Sequence, residues 1–209
     1  MNSGRPKDLE KHKQILEAAK SLFLKHGYHG SSMNQIAAEA QVSKLTVYNH
    51  FQDKDTLFTC AIEETCRTSI DAHAIVLNAQ SDFRATLFQV CELALCIVNL
   101  PEAIKLEHLL LELAAEQNPL AERFYVASHA RIFAVWTGFF QQAYQLNLIE
   151  QYDVQKQTQL LLSLLLGHRH HEVLLGVRAV PSAEECQQII QDTIDIFLLK
   201  YPPLCKSAQ

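Results

Sequence analysis

Residues 33–54 read MNQIAAEAQVSKLTVYNHFQDK, and the fold turns on how this stretch is understood. Ile36, Ala37 and Ala40 recur at helical spacing and give a short helix one apolar side. Gln41-Val42 makes a corner. Ser43 then caps a second helix, its hydroxyl accepting a hydrogen bond from a backbone N–H two or three residues on. That second helix carries Val47 and Phe51 one turn apart. At about 100° per residue, Leu45 and Asn49 fall on the other side. A helix this short does not hold alone in water. Its Val47/Phe51 side must dock on a small core, and its opposite side is then presented outward. A DNA-reading helix needs this division, one side held and the other free to enter a major groove.

The flanks supply that core. From Asp8 to His26, Ile15, Ala18, Ala19, Leu22 and Phe23 form one side of an amphipathic helix, and Gly27 ends it. Ser32 caps the next helix. Asp53 caps the one after, predicted over about Lys54 to Ala79 with Leu57, Phe58, Ala61, Ile62, Thr65 and Ile70 along one side. Ahead of Asp8, residues 1–7 form a polar, basic arm containing Arg5-Pro6-Lys7. It reads either as a frayed end or as a segment laid along the DNA backbone or minor groove.

Charge follows the same division. The whole chain carries a formal −5. Residues 1–52 hold seven basic and four acidic side chains, a net +3, which leaves −8 for the remainder. A basic head on an acidic body is the polarity expected when only the head meets phosphate. Six cysteines, at 60, 66, 91, 96, 186 and 205, form no Cys-x-x-Cys pair. With no secretory signal at the N-terminus, reduced thiols in a cytoplasmic protein are expected. No apolar run approaches the roughly 18 residues that span a bilayer.

The run GYHGSSMNQIAAEAQVSKLTVYNHFQDKDTLF, residues 27–58, resembles the DNA-binding signature of the TetR family of bacterial repressors. The matching positions are Ile36-Ala37, Val42-Ser43, Thr46, Tyr48, Phe51, Lys54 and Leu57-Phe58. The resemblance implies an all-α fold, with a three-helix head at residues 8–53 that contains the helix-turn-helix at about 33–52. It also implies an all-helical ligand-binding and dimerisation body at 54–209, a homodimer, and a palindromic double-stranded operator. Two positions depart from the family. Gln41 stands at a corner that is commonly glycine, so a positive φ there costs something like 1 kcal/mol. Leu45 replaces the usual glycine or polar residue; it can touch a thymine methyl but reads no base by hydrogen bonding. For phosphates the candidates are Ser32, Ser43, Thr46, Tyr48, His50 and Lys54. Tyr48 counts on the strength of the resemblance, and His50 stands where relatives usually have tyrosine. For base edges they are Lys44, Leu45 and Asn49, the last suited to bidentate pairing with adenine.

In the body, Ser81-Asp82 opens a helix to Leu100, and Pro101 starts another over Glu102 to Glu116. Asn118-Pro119 begins a long helix to about Leu146 that carries most of the aromatics. Packing accounts for most of these, but a ligand chamber also needs such walls with a few polar groups inside. Cys91, His108, Trp136, Phe139 and Phe140 are the candidate lining for a small hydrophobic inducer. Asp153 caps a helix to about Gly176, and Ser182 caps the last, Ala183 to Lys200. Leu161, Leu164, Leu165, Ile189, Ile190, Ile194 and Phe197 offer more apolar surface than a body core uses, as an intermolecular four-helix bundle would require. Residues Glu112 to Tyr201 are loosely similar to the C-terminal region of the AefR-like branch of the family.

Other chemistries lack their patterns. His168, His170 and His171 have no second ligand group in register, so no metal and no cofactor is expected. No phosphate loop, Gly-x-Ser-x-Gly or His-Glu-x-x-His is present, which excludes the common enzyme signatures. The expected function is a transcriptional regulator, a repressor released by a small hydrophobic ligand. The alternative is the same DNA-binding fold controlled by a protein partner or by thiol oxidation. No membrane role is expected.

Overall fold

The computed structural model describes residues 5–71 and 76–204, with the backbone alone described at 5–7 and 69–71. The described residues form α1 (Arg5–His26), α2 (Met33–Glu39), α3 (Lys44–His50), α4 (Lys54–Asp71), α5 (Phe83–Val98), α6 (Pro101–Ala115), α7 (Leu120–Tyr125), α8 (Arg131–Gln145), α9 (Val154–Leu174) and α10 (Ala183–Lys200). A π-helical turn, Val126–Ala130, joins α7 to α8. Among these residues no single helix is long and apolar enough to cross a membrane.

The helices fall into two compact units, residues 1–70 with 105–130, and residues 71–104 with 131–209. In the first unit, every apolar position read along α1, α2, α3 and the start of α4 is buried. Ile15, Ala19, Ile36, Val47, Leu57 and Phe58 have no measurable exposure. The same core continues into Leu109, Leu110 and Leu113 of α6, and into Leu120, Phe124 and Ala127. Phe58 packs against Phe23, Tyr28 and Phe124 at centroid distances of 5.0–5.7 Å. The division read from sequence at 53/54 is therefore not a division in packing, because α4 and part of α6 share the head's core. In the second unit the core is built from α5, α8, α9 and α10 around Leu87, Cys91, Phe140, Leu161, Leu165, Ile190 and Phe197.

Several boundaries differ from the sequence reading, each for a local reason. Residues 1–4 of the expected arm lie outside the described residues, and α1 is already helical at Arg5. Pro6 is tolerated there because the N–H it lacks has no partner in a first helical turn. Helix α4 was expected to reach Ala79. Of its C-terminal part, residues 72–75 lie outside the described residues and Val76–Asn78 are not helical. The Asn78 side chain accepts from the Gln80 N–H at 2.8 Å, and Ser81 Oγ accepts from the Asn78 N–H at 3.0 Å, which holds a turn instead. The long aromatic helix is interrupted by the π turn, where the Ser128 hydroxyl donates to the Phe124 carbonyl at 2.8 Å.

The predicted apolar surplus of the last two helices is largely consumed inside the monomer. Leu161, Leu165, Ile190, Ile194 and Phe197 are all buried in the second unit's core. Leu164 and Ile189 are half-buried against it. The large apolar side chains that α10 leaves in solvent are Ile196 and Leu199.

Candidate nucleic-acid interface

Helix α3 is positioned from both ends. At its start Ser43 Oγ accepts from the Thr46 N–H at 3.1 Å and shares a 2.8 Å hydrogen bond with the Thr46 hydroxyl. Along its inner side Val47 is fully buried, and Phe51, just past its end, is 2% exposed. The corner before it closes through two backbone bonds. Gln41 N–H donates to the Ala38 carbonyl at 3.1 Å and Val42 N–H to the Ala37 carbonyl at 3.0 Å. This double closure needs a left-handed residue between the helix and Val42. Gln41 supplies it at φ 55°, and the glutamine bears the strain.

With the inner side pinned, Lys44, Leu45 and Asn49 stand in solvent, Leu45 being 70% exposed. Ser32, Lys44, Tyr48 and Lys54 converge on an open cleft of about 250 Å³, together with Ser31, Met33 and Asn34. Ser32 is the α2 cap, accepting from the Gln35 N–H at 3.3 Å. The Lys44 ammonium lies 5.7 Å from the Tyr48 ring centroid. Hydroxyls, amines and an aromatic around a shallow basic cleft are groups that hold a phosphate backbone.

Two sequence candidates are placed differently from the rest. His50 does not reach the cleft. Its side chain is only 12% exposed, with Nε2 3.2 Å from the Asp8 carboxylate and its ring 5.6 Å from His12. Lys54 reaches the cleft's edge but is already engaged. Its ammonium donates to the Tyr28 carbonyl at 3.0 Å and the Ser31 carbonyl at 3.2 Å, and lies 3.9 Å from the Tyr28 ring centroid. Burial lowers its pKa from the ordinary lysine value. The structure makes it first a brace for the loop between α1 and α2.

That brace belongs to a network the sequence did not disclose. The Tyr28 hydroxyl donates to Asp55, and burial, then that bond, raise its pKa. Buried Ser31 lies with Oγ 2.8 Å from the Gly27 carbonyl and 3.1 Å from the Leu22 carbonyl. Gly30 passes so close to α1 that a Cβ would sit 2.2 Å from the His26 carbonyl oxygen. No spacing rule points to Ser31 or Asp55, because both act through contacts made by the fold.

Four of the five ligand candidates share one core, and His108 does not join them. Cys91, Trp136, Phe139 and Phe140 lie in the second unit, the first, second and fourth of them buried and Phe139 partly so. His108 is on the part of α6 that belongs to the first unit, and it is exposed. Burial pushes the Cys91 thiol up to about 12 and raises Cys60 and Cys186. Among the described residues no group of three or more His, Cys, Asp or Glu side chains is placed to hold a metal ion.

A helix braced on one side and open on the other, entered through a helix and a tight corner, defines a helix-turn-helix DNA-binding regulator. Residues 15–59 match the family described as bacterial regulatory proteins, tetR family, and residues 85–203 match the AefR-like transcriptional repressor, C-terminal domain. The second match alone covers more than half of the chain, which therefore belongs to the TetR family. The transcriptional activator FasR of Mycolicibacterium smegmatis is 33% identical over 82 residues, 39% of this chain and 37% of FasR. The chain thus aligns with well under half of that relative's length. Among solved structures, a putative TetR-family regulator from Mesorhizobium loti superposes with a TM-score of 0.78 at 26% identity, covering 93% of this chain and 98% of the other. The flavonoid-responsive regulator FrrA superposes at 0.77 with 24% identity, covering 94% and 99%.

Proposed function

We propose that the chain is a dimeric repressor whose two α3 helices enter successive major grooves of a palindromic operator, about 34–36 Å apart. The observation that carries this reading is the split character of α3, with Val47 fully buried and Leu45 70% exposed two residues away. In this reading Ser32, Ser43, Thr46 and Tyr48 position the backbone, and Lys44, Leu45 and Asn49 meet base edges. His50 is left out of the contact set. The dimer surface is assigned to α9 and α10, and Ile196 and Leu199 of α10 are exposed.

Control by a small hydrophobic ligand is the favoured regulatory step. A ligand shifts the balance between DNA-competent and DNA-incompetent forms only by its differential affinity for them. In the second unit it has to part Trp136, Phe139 and Phe140, which pack on one another at 5.5–6.5 Å. That closed packing favours, as a second reading, control by a protein partner. Control by oxidation is less favoured at Cys60, Cys91 and Cys186, where burial raises the thiol pKa and so lowers the share of thiolate. Fluorescence anisotropy on genomic operator fragments and scrambled DNA tests the core claim. Tight, salt-sensitive, sequence-dependent binding by a dimer is expected; a monomer with no preference refutes it. Quenching of Trp136, the single tryptophan, by hydrophobic compounds that also release DNA tests the ligand step.

A further inference from the structure

Helix α9 is not continuous. Gly167 interrupts it at φ 39°, ψ −151°, a conformation open to glycine and strained for other residues. Nothing lies within 4 Å of a Cβ added there, so the backbone angle and not lack of space requires glycine. Beside the break is a cavity of about 10 Å³ lined by Leu165, Leu166, Arg169 and His170 of α9, Leu95 and Asn99 at the end of α5, and Pro181 and Ile189.

Among the described residues, Asn99 Oδ1 and Arg169 Nη1 on that lining have no hydrogen-bond partner. The rest of each side chain is committed. Asn99 Nδ2 donates to the Leu95 carbonyl at 2.8 Å, which fixes the amide with its oxygen away from that carbonyl. Arg169 donates through Nε to Glu185 at 2.7 Å and through Nη2 to the Ala179 carbonyl at 2.7 Å, leaving Nη1 over. A buried donor and a buried acceptor left unmet each cost more than a made bond returns.

We infer that this cavity is a binding site for one neutral molecule of water size, which accepts from Arg169 Nη1 and donates to Asn99 Oδ1. The volume admits about one water. The charges decide its kind. The guanidinium repels ammonium or a metal cation, and the amide oxygen disfavours chloride or a carboxylate. Water offers an acceptor to one side and a donor to the other. Bound there, it ties the end of α5 to α9 just past the break, and through Arg169 and Glu185 to α10. The inference does not depend on DNA binding.

The test is a crystal structure of the full chain to beyond about 1.8 Å, grown with and without sodium bromide, beside Asn99→Leu. One water-sized peak within about 3.2 Å of both atoms is expected in the wild type. In Asn99→Leu the peak should be lost and the melting temperature lowered. Anomalous bromide signal in the cavity, no density there, or direct pairing of Asn99 with Arg169 would each overturn the inference. The wild-type crystal alone decides if the variant fails to fold.

Discussion

The sequence implies a phosphate contact for Lys54, and the fold shows it bracing the α1–α2 loop, a task that can be separated from the first. Lys54→Met keeps the aliphatic stem and removes the ammonium, and with it two hydrogen bonds to loop carbonyls and the contact with the Tyr28 ring. Bonds from a charged donor are worth about 1.5–3 kcal/mol each when dry. Lys54 is half-buried, so water replaces part of each, and about 0.5–1 kcal/mol per bond is the appropriate scale. The ring contact adds about 0.5 kcal/mol at such a site. The expected loss is therefore about 2 kcal/mol, or several degrees in the melting temperature. Urea denaturation measures it directly. The DNA readout separates the roles, because each phosphate neutralised contributes about 0.9 to the slope of log K against log salt. If Lys54 braces the loop and also touches phosphate, stability and slope both fall. If it only braces, stability falls and the slope holds. Unchanged stability with a lowered slope would refute the brace and return Lys54 to a simple surface contact.

Asn49→Ala should relax base preference, weakening operator more than scrambled DNA by about 1–3 kcal/mol, as competitive anisotropy would show. Leu45→Ala should lose discrimination for thymine over uracil at one operator position, read with uracil-substituted duplexes. Gly30→Ala should lower the urea midpoint clearly, by more than about 2 kcal/mol, since its Cβ meets a backbone carbonyl that cannot rotate away. His12 gives a pH dependence. Burial, then the charge of His50, lower its pKa in the folded head, outweighing Asp8 and Glu64, which raise it. The unfolded chain thus takes up this proton at higher pH than the folded one, so stability is full above about pH 6.5 and is lost as pH falls below it. Urea midpoints at pH 7.5 and 5.5 should differ for the wild type, and the difference should shrink in His12→Phe.

The head was legible because its elements announce themselves locally. Ser32, Ser43, Asp53, Asp153 and Ser182 all read as caps from their position before an apolar period, and all five accept the expected backbone N–H. Apolar spacing located the buried side of each head helix. What the same spacing could not do was assign a buried side to its partner. Leu161, Ile190 and Phe197 look alike whether they face their own core or a second copy. Only the packing shows that they are used inside the monomer. The π turn and the break at Gly167 were missed for a related reason. Each replaces a few hydrogen bonds within a helix whose apolar pattern continues on both sides.

The site divides along the same line. Leu45 and Asn49 stand in solvent, as the sequence implies, because the angle from Val47 determines their direction once Val47 docks. His50 and Lys54 lie at the end of α3 and the start of α4, where the direction of a side chain depends on what neighbouring helices offer. Asp8, 42 residues upstream of His50, draws it back onto α1. The carbonyls of Tyr28 and Ser31 draw Lys54 under the loop. A period fixes direction only while the helix lasts; beyond its end, long-range partners decide, and those partners were spread over α1 and the α1–α2 loop. Gln41 shows the converse. Its residue type argued against the corner, yet the two backbone bonds to Ala37 and Ala38 and the docking of Val47 and Phe51 together outweigh roughly 1 kcal/mol of left-handed strain. Gln41→Gly should therefore stabilise the head by up to about that amount, less the entropy glycine returns to the unfolded chain, while leaving operator preference unchanged. A changed preference would mean that the corner, and not the docked side of α3, sets the angle at which the helix meets DNA.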